Sequence, residues 1–359
     1  MRQLKSCGRE KGLIQWRKGD RMERATIRDV AKKAGVSITT VSKALNDYTD
    51  VNPETRKRIQ EIARQMNYVP NVAGRSMGGR VDKVIGLLIN DLRPIDPSGS
   101  VYGILSGVCH ACQDNNIEFI LMTTDGKQQT QRPLKVLCLR KQLTGLVCAG
   151  FRLHDPYLQQ LEEIDIPCAF IDIRTDKPDV LDITMDNERA AREAVSFLIK
   201  NGRKNIALVN GGPDADVSIL RGSGYRWALE DAGLTVRPDW MITANFDENI
   251  AYQKTRAFLE QYPQVDAFFC ASDLMALGVC RAIEERGLTV GEEIAVIGFD
   301  DIPVARYLHG GLTTIRQDFY LMGYMAGKAI YQKIEGQPDV HVDHMMYELV
   351  VRGSARGKL

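Results

Sequence analysis

The stretch TIRDVAKKAGVSITTVSKAL, residues 26–45, decides how the amino-terminal part of this 359-residue chain folds. Thr26 can cap a first helix with Asp29 as its capping-box partner, and apolar residues recur at helical spacing over residues 27–34. Gly35 supplies the positive φ that a tight turn between two helices requires. The pattern predicts two short helices joined by a glycine turn.

The residues after this turn complete a three-helix unit. A second helix is predicted over residues 38–45, with Ser37 as its cap and Val41 on its buried face. A third helix opens at Asn52-Pro53, because proline favours the first helical position after a cap residue. Three short helices, the first two joined by a glycine turn, indicate a helix-turn-helix head.

The second helix of a helix-turn-helix enters the major groove of DNA, where its exposed side chains meet base edges. Three side chains are expected to face outward and read bases; they are Ile38, Thr39 and Lys43. The short hydroxyl side chains beside them suit phosphate oxygens instead; they are Ser37, Thr40 and Ser42. An ordinary helical hairpin without DNA-binding activity is the alternative interpretation.

Charge is divided unevenly along the chain. Residues 1–80 hold 18 lysines and arginines against 8 acidic residues, a formal charge of +10, and the remaining residues hold 29 against 38, which gives −9. A basic head on an acidic body indicates that the head binds a polyanion. A solvated basic tail explains only part of this excess, since residues 1–21 carry +5 and residues 22–80 carry the other +5.

One hypothesis is that translation begins at Met22.

Beyond residue 80, short apolar strands alternate with amphipathic helices, which is typical of βαβ units with parallel sheets. The predicted strands are 84–89, 119–122, 146–149, 169–172, 206–210, 267–270 and 294–298. The predicted helices are 101–115, 189–200, 224–232, 252–261 and 274–286. The sequence therefore predicts a small all-α head followed by an α/β body. No apolar run approaches the roughly 18 residues that a membrane-spanning helix needs.

The sequence lacks the motifs of common enzymes, since it has no nucleophile elbow, phosphate loop or dinucleotide-binding glycine pattern. Eight scattered cysteines favour a reducing cytoplasm. Cys109 and Cys112 form a lone CxxC late in a predicted helix, where a packed helix face is a better interpretation than a redox or zinc site. His341 and His344 lie in a strand-like stretch without a metal signature. We predict no catalytic residue, no metal and no cofactor.

Three segments, ATIRDVAKKAGVSITTVSKALN, VNPETRKRI and YVPNVAGRSM, resemble the head and hinge of the lac/gal repressor (LacI/GalR) family of bacterial transcription regulators. The similarity continues through RGSGYRWAL, FFCASDLMALGVCRAI, IAVIGFDDIPVA and LTTIRQDF, and covers roughly residues 26–353. The resemblance implies a dimeric, allosteric DNA-binding protein. Its body would resemble periplasmic sugar-binding proteins, in which two parallel-sheet lobes enclose a small ligand.

The resemblance also implies how the chain is divided. The expected parts are a basic, disordered extension (1–25), a helix-turn-helix domain (26–70), a hinge helix and linker (71–81), an amino-terminal effector-binding lobe (82–185 with 318–342) and a carboxy-terminal one (186–317 with 343–353). In the hinge, Met77 stands where the family usually has a leucine wedge for the minor groove, and Gly74 replaces the usual alanine. The resemblance further adds Thr26, Asn46 and Asn71 to the expected DNA contacts.

By their position in the family's motifs, six residues are expected to line or flank the ligand cleft; they are Asp172, Arg221, Phe246, Ser272, Asp273 and Asp300. Their chemistry suits a small polyol, since carboxylates accept hydroxyl protons, arginine donates through a fixed fork and an aromatic ring offers an apolar face. Each also has a plain structural alternative. Asp273 fits a helix cap, Phe246 fits a core position, and Asp172 and Asp300 fit caps of the turns that follow strands.

We therefore expect a repressor of genes for sugar uptake or catabolism, which binds a pseudopalindromic DNA operator as a homodimer and responds to a sugar-like effector. A global catabolite regulator of the same family, which also binds a protein co-effector, is the first alternative. A sugar-binding transport component and an α/β enzyme acting on sugars fit less well, because the chain has a basic head and no catalytic motif. No membrane partner is expected.

Overall fold

The computed structural model describes residues 26–45, 48, 50–66, 68, 83–92, 98–175, 177, 180–308 and 310–355. The chain divides into two compact units, residues 1–81 and 82–359. The described part of the first unit is a helical head, and that of the second is an α/β body with parallel sheets. The fold class predicted from the sequence is therefore confirmed.

The head contains helices α1 (Ile27–Ala34), α2 (Ile38–Leu45) and α3 (Pro53–Gln65). Thr26 caps α1 as predicted, because its side chain accepts a hydrogen bond from the Asp29 N–H while the Asp29 carboxylate accepts one from the Thr26 N–H at 2.8 Å. Gly35 ends α1 with a φ of 66°. Asn52 caps α3 by accepting a hydrogen bond from the Glu54 N–H at 2.9 Å. Local sequence signals thus set the limits of these helices.

Small and β-branched side chains form the core of the head. The buried members are Val30, Ala31, Ala34, Val41, Ala44, Val51, Ile59 and Ala63. Half of them are alanines, so the helices can approach one another closely. Burial of Val41 and Ala44 fixes which face of α2 points to solvent.

The body contains two sheets. The strands of the first are β1 (Val84–Asn90), β2 (Glu118–Thr124), β3 (Gly145–Ala149), β4 (Cys168–Ile171) and β5 (Val180–Ile183), in the order β2-β1-β3-β4-β5. The strands of the second are β6 (Ile206–Asn210), β7 (Met241–Thr243), β8 (Ala267–Cys270), β9 (Ala295–Asp300), β10 (Thr313–Arg316) and β11 (Glu348–Val350), in the order β11-β10-β9-β8-β6-β7. The described pairs are parallel except β10 with β11.

Helices cover the faces of both sheets and complete two lobes. The amino-terminal lobe adds α4 (Ser100–Asp114), α5 (Gly126–Gln131), α6 (Leu134–Lys141), α7 (Pro156–Gln159) and α12 (Phe319–Ile334) to the first sheet. The carboxy-terminal lobe adds α8 (Asn187–Lys200), α9 (Asp216–Asp231), α10 (Glu248–Gln261) and α11 (Asp273–Glu285) to the second. Because α12 follows β10 and precedes β11, the chain crosses between the lobes three times. The loops after parallel strands gather at the carboxyl ends of each sheet, where ligands bind in open α/β folds.

Glycines allow α4 and α12 to cross with their backbones in contact. A Cβ atom on Gly107 would lie 2.1 Å from the carbonyl oxygen of Tyr320, and one on Gly323 would lie 2.2 Å from that of Ile104. Neither position has room for a larger side chain. This crossing fastens the segment that returns from the carboxy-terminal lobe to the amino-terminal one.

Several elements differ from the sequence prediction. The pattern does not predict β5, β7, β10 and β11, because each is short and contains a polar or charged residue, unlike the equally short but wholly apolar β4 and β8. It also misses α12, whose apolar pattern contains two glycines. Helix α9 begins at Asp216, well before the predicted start at residue 224. Gly224 does not mark the start of the helix but is a packing position within it, where a Cβ would lie 2.2 Å from the Glu188 carbonyl oxygen. No described helix is both long enough and apolar enough to cross a membrane.

The α4–α12 crossing gives a stability prediction. Gly107→Ala should lower the free energy of unfolding by about 1–3 kcal/mol, because the new methyl group would force two packed backbones apart. Gly126→Ala is the matched control, since no atom lies within 4 Å of a Cβ at this helical position. The control should leave stability unchanged or raise it slightly. Urea denaturation followed by circular dichroism measures both, and equal stability of the two variants would contradict the crossing.

Candidate functional site

The outer face of α2 presents the predicted base-reading side chains. Ile38 is 44% exposed, and Thr39 beside it is also exposed. Val41 is fully buried. An apolar side chain that stands in solvent on a helix of eight residues gains nothing from folding, so its position suits contact with another surface.

Lys43 lies on the same helix and is partly exposed. Its Nζ atom is 2.5 Å from Oδ2 of Asp50, and both side chains remain about half exposed. The hydrogen bond to Asp50 and the charge of Asp50 raise the pKa of Lys43, which is therefore cationic at neutral pH. A solvent-exposed pair of this kind contributes little to stability, so a DNA acceptor can replace Asp50 at small cost.

Two of the predicted phosphate-binding hydroxyls also shape α2. The Ser37 hydroxyl accepts a hydrogen bond from the Thr40 N–H at 3.1 Å and lies 2.8 Å from the Thr40 hydroxyl. The Thr26 hydroxyl also has a hydrogen-bond partner within the head, because it donates to the Asp29 carboxylate at 2.6 Å. Ser42 is partly exposed. The remaining predicted contacts lie outside the described residues; they are Asn46, Asn71, Gly74 and Met77.

A cavity of about 510 Å³ lies between the two lobes of the body. Residues that follow β1, β3 and β4 line one side, and residues that follow β6, β7, β8 and β9 line the other. Apolar side chains contribute part of the wall, including Val101, Ile104, Phe151, Phe246 and Phe319. Polar groups converge on the rest, which is the usual composition of a small-molecule site. The cavity brings together Asp172, Arg221, Phe246, Ser272 and Asp300 of the predicted set.

Arg221 forms the floor of this cavity and is only 3% exposed. Its Nε donates to Asn187 Oδ1 at 2.8 Å and its Nη1 donates to the Ala271 carbonyl oxygen at 2.6 Å. The guanidinium carbon lies 3.6 Å from the ring centre of Phe299, and Nη1 is 3.9 Å from Oδ1 of Asp300. A buried cation needs such compensation, and its donors are therefore held in fixed directions.

Asp172 and Asp300 face the cavity from opposite lobes, at the ends of β4 and β9. Asp172 accepts a hydrogen bond from the Thr184 hydroxyl at 3.0 Å, and Asp300 accepts one from Gln317 Nε2 at 2.6 Å. Burial raises the pKa of Asp172, and the charge of Arg221 offsets only part of this effect. Two carboxylates around one guanidinium give the site strong hydrogen-bond acceptors.

Ser272 lies at the cavity as predicted, whereas Asp273 does not. Ser272 caps α11 by accepting a hydrogen bond from the Met275 N–H at 3.2 Å, and it also borders the cavity. Asp273 is neither the cap nor among the cavity-lining residues. It is fully buried and accepts hydrogen bonds from the Thr314 hydroxyl at 2.6 Å and the Ile302 N–H at 2.9 Å. Both of its oxygens are thus used within the carboxy-terminal lobe, where burial and the charge of Asp300 raise its pKa.

Backbone strain is concentrated at the cavity. Asn245 and Phe246 have φ values of 54° and 57°, and Asp172 has 60°. Residues other than glycine avoid this left-handed region, and a bulky aromatic residue does so most strongly. The strained turn places the Phe246 ring at the cavity wall while its edge packs on the carboxy-terminal lobe core. Phe246 therefore has both of the roles considered from the sequence.

Two ion pairs join the lobes beside the cavity. Arg174 of the amino-terminal lobe binds Asp216 of the other lobe through both its Nε, at 2.8 Å, and its Nη2, at 2.7 Å, and its backbone N–H donates to the same carboxylate. Arg152 binds Asp214, just before the start of α9, with 2.9 Å between Nη1 and Oδ2. Burial alone would raise the pKa of Asp214, but the hydrogen bond and charge of Arg152 bring it below its ordinary value. This pairing is therefore fully present at neutral pH and is lost only as the pH falls through the lowered pKa.

Sequence reasoning missed several cavity residues. Arg152, Asp214, Asn245 and Gln317 all line the cavity, and each lies just after a strand. For Arg152 and Asp214, which follow predicted strands, this position is the signal that could have found them. Asn245 and Gln317 follow β7 and β10, which the sequence pattern does not predict. The loop residues Asp91 and Leu92 also line it, whereas 93–97 lie outside the described residues.

Cys112, His341 and His344 are among the remaining residues that the sequence analysis considered. Cys112 is buried on α4, and burial raises the pKa of its thiol to about 12. Such a thiol is unreactive, which agrees with a packed helix face. His341 and His344 lie in a segment without regular structure rather than in a strand. The described residues contain no group of three or more side chains placed to hold a metal ion.

Comparisons with known proteins agree with this arrangement. Residues 26–71 match the model of "Bacterial regulatory proteins, lacI family", and residues 195–355 match a "Periplasmic binding protein-like domain". The chain is 31% identical over 326 residues to the HTH-type transcriptional repressor PurR of Aliivibrio salmonicida (strain LFI1238), covering 90% of this chain and 96% of the relative. It is 30% identical to the PurR of Histophilus somni (strain 129Pt), covering 92% and 99%.

Solved structures are similar over the same span. The lac repressor dimer bound to operator and the anti-inducer ONPF matches with a TM-score of 0.82 and 25% identity, over 93% of this chain and 100% of that one. A complex of the transcriptional regulator CelR with cellobiose matches with a TM-score of 0.70 and 29% identity, over 92% and 100%. With an exposed α2 face, an interlobe cavity and relatives matched over nearly their whole length, the chain belongs to the lacI family of bacterial transcription regulators.

Proposed function

We propose that this protein is a homodimeric repressor that binds a pseudopalindromic operator and is controlled by a small sugar-like effector in the interlobe cavity. The observation that carries the proposal is the cavity of about 510 Å³, in which buried, oriented polar groups converge between two lobes. No catalytic role is proposed for this site. The protein would act in the cytoplasm, where operator DNA lies.

Operator recognition would rest on α2. Ile38 and Thr39 stand in solvent on this helix, and Lys43 can exchange its Asp50 partner for a guanine acceptor. Two heads related by a two-fold axis would read two half-sites. Hydroxyl groups such as those of Ser42 and Thr40 would position the head on phosphates.

Effector recognition would rest on hydrogen-bond acceptors around Arg221. The carboxylates of Asp172 and Asp300 can accept hydroxyl protons of a polyol, and the Phe246 ring can cover an apolar face of a sugar. One similar protein of known structure supports this class, since it is a complex of the regulator CelR with cellobiose. Genes for sugar uptake or catabolism would then be the natural targets.

A purine base is the second candidate effector. Relatives matched over nearly the whole chain carry the name PurR. The ring of Phe246 at the cavity wall offers a face on which a planar heterocycle could stack. A thermal-shift screen of sugars against purine bases, using the full-length chain, separates the two classes.

Coupling between effector and operator would act through the relative position of the lobes. The Arg174–Asp216 and Arg152–Asp214 pairs hold the cleft closed along one side. An effector that prefers one lobe arrangement shifts the population toward it, and typical coupling energies are about 1–3 kcal/mol. The sign of the response, release or promotion of operator binding, depends on which arrangement the DNA prefers.

Base reading by Lys43 can be tested directly. After an operator is selected from genomic DNA by the full-length protein, Lys43→Ala should cost about 1–3 kcal/mol and relax base preference at one position of each half-site. Lys57→Ala, an exposed lysine on α3, is the matched control and should leave base preference unchanged. Fluorescence anisotropy with a panel of single-base operator variants measures both. Uniform weakening across all sequences would make Lys43 a phosphate contact.

The role of Arg221 can be tested with a substitution that keeps its charge. Arg221→Lys should weaken binding of the effector found in the screen at least tenfold, because a point charge cannot reproduce the planar fork that reaches Asn187 and the Ala271 carbonyl together. Arg226→Lys on the same helix is the control, since Arg226 does not line the cavity. Calorimetry measures affinity, and operator affinity reports whether the variant is folded. Equal affinity in both variants would place the effector elsewhere.

The ion pairs between the lobes give a conformational prediction. Asp216→Asn should open the body, seen as a larger radius of gyration in small-angle X-ray scattering, because Arg174 loses its bidentate partner. Asp231→Asn is the matched control, since it breaks the exposed Arg192–Asp231 pair within one lobe. An unchanged radius of gyration in Asp216→Asn would show that the Arg174–Asp216 pair is not needed to hold the lobes together.

A further inference from the structure

We infer that the cavity selects an uncharged ligand rich in hydrogen-bond donors and excludes the phosphorylated or carboxylated form of the same compound. This inference rests on the proposed effector function and narrows it. It applies equally to a sugar against its phosphate and to a purine base against its nucleotide.

The first observation is an excess of negative charge. Among the described cavity-lining residues, seven carry a carboxylate and only two, Arg152 and Arg221, carry a positive charge. No lysine or histidine of the described chain lines the cavity. Residues 93–97 contain one arginine and one aspartate, and so add no net formal charge to the loop. An anionic ligand would therefore meet net repulsion in a partly desolvated space.

Both cavity arginines already have their partners. Arg152 forms the ion pair with Asp214 that joins the lobes, and a ligand phosphate could recruit it only by breaking this pair. Arg221 donates to Asn187 and to the Ala271 carbonyl, and it lies over the Phe299 ring. Neither guanidinium is therefore presented as an anion-binding fork of the kind that phosphate sites use.

The remaining carboxylates are not neutralised in the same way. The side chains of Asp91, Asp247 and Glu248 form no ion pair within 4 Å with a basic residue of the described chain. Asp247 accepts the N–H of Ile250 as the cap of α10, which leaves its charge in place. An ionised carboxylate can accept hydrogen bonds but cannot donate them, so a ligand must supply the donors.

Gln317 provides an independent indication of the same preference. Its Nε2 donates to Asp300, while its Oε1 is buried and has no hydrogen-bond partner among the described residues. Gln317 lines the cavity. A buried acceptor without a partner costs free energy, and a hydroxyl or N–H of the ligand would satisfy it. A phosphate or carboxylate oxygen would instead add a further acceptor.

The test compares matched pairs of compounds on the full-length protein. D-Glucose, D-ribose and adenosine are screened by thermal shift beside glucose 6-phosphate, ribose 5-phosphate and adenosine monophosphate, with cellobiose and adenine as further uncharged compounds. The dissociation constants of each pair with a hit are measured by calorimetry. The uncharged member should bind at least tenfold more tightly than its phosphate. Raising the salt concentration to about 0.5 M should narrow this difference, because salt screens the repulsion.

A charge-removal variant tests the cause. The double variant Asp91→Asn with Glu248→Gln should lower the selectivity ratio several-fold by strengthening binding of the phosphate. Glu230→Gln, at an exposed position of α9 outside the cavity, should leave the ratio unchanged.

Failure of the charge selection and failure of the proposed effector function give different results. A phosphorylated compound that binds as tightly as its uncharged partner overturns the charge selection and leaves the effector function standing. If no compound of either kind binds, the effector function and the selection fall together.

Discussion

One buried cation holds the ligand cleft in shape. The guanidinium of Arg221 comes from α9, yet it contacts the start of α8, the end of β8 and a ring of β9. An ionised group can remain buried only if its donors find acceptors, so the elements that supply them must stay in place. The floor of the cleft is thus fixed inside the carboxy-terminal lobe, and a ligand arriving from solvent meets groups that are already oriented.

The amino-terminal lobe completes the cleft under a different constraint. Its loops reach the cavity from the carboxyl ends of β1, β3 and β4, and the α4–α12 crossing fastens the returning chain to this lobe. The Arg174–Asp216 and Arg152–Asp214 pairs then join the lobes through partly exposed arginines. Contacts of this kind contribute less than core packing, so breaking them would cost less free energy than disrupting either lobe. Strained residues such as Phe246 add to the preorganisation of the cavity wall.

The head and the body of the chain carry net charges of opposite sign. The head carries a net positive charge that attracts the DNA backbone over distance, whereas the body is acidic and its cavity more so. The acidic body therefore avoids non-specific contact with DNA, and the acidic cavity favours ligands that bring donors. Lys43 shows opposite charges paired within the head, since its Nζ lies 2.5 Å from Oδ2 of Asp50.

The sequence alone determined the head and the class of the body, because these depend on short-range physics. Capping by Thr26 and Asn52, the positive φ of Gly35 and the apolar spacing of α2 act within a few residues, and most strands of the body are apolar runs. Five of the six residues expected from the family's motifs line the cavity, but only tertiary structure decided the rest of its composition. Asp214 and Asp216 meet their arginines across some 40–60 residues, and Asp273 turns away from the cavity toward Thr314. Such placements depend on the order of the strands in each sheet and on how the two lobes close. A local sequence pattern cannot encode contacts between residues so far apart in the chain.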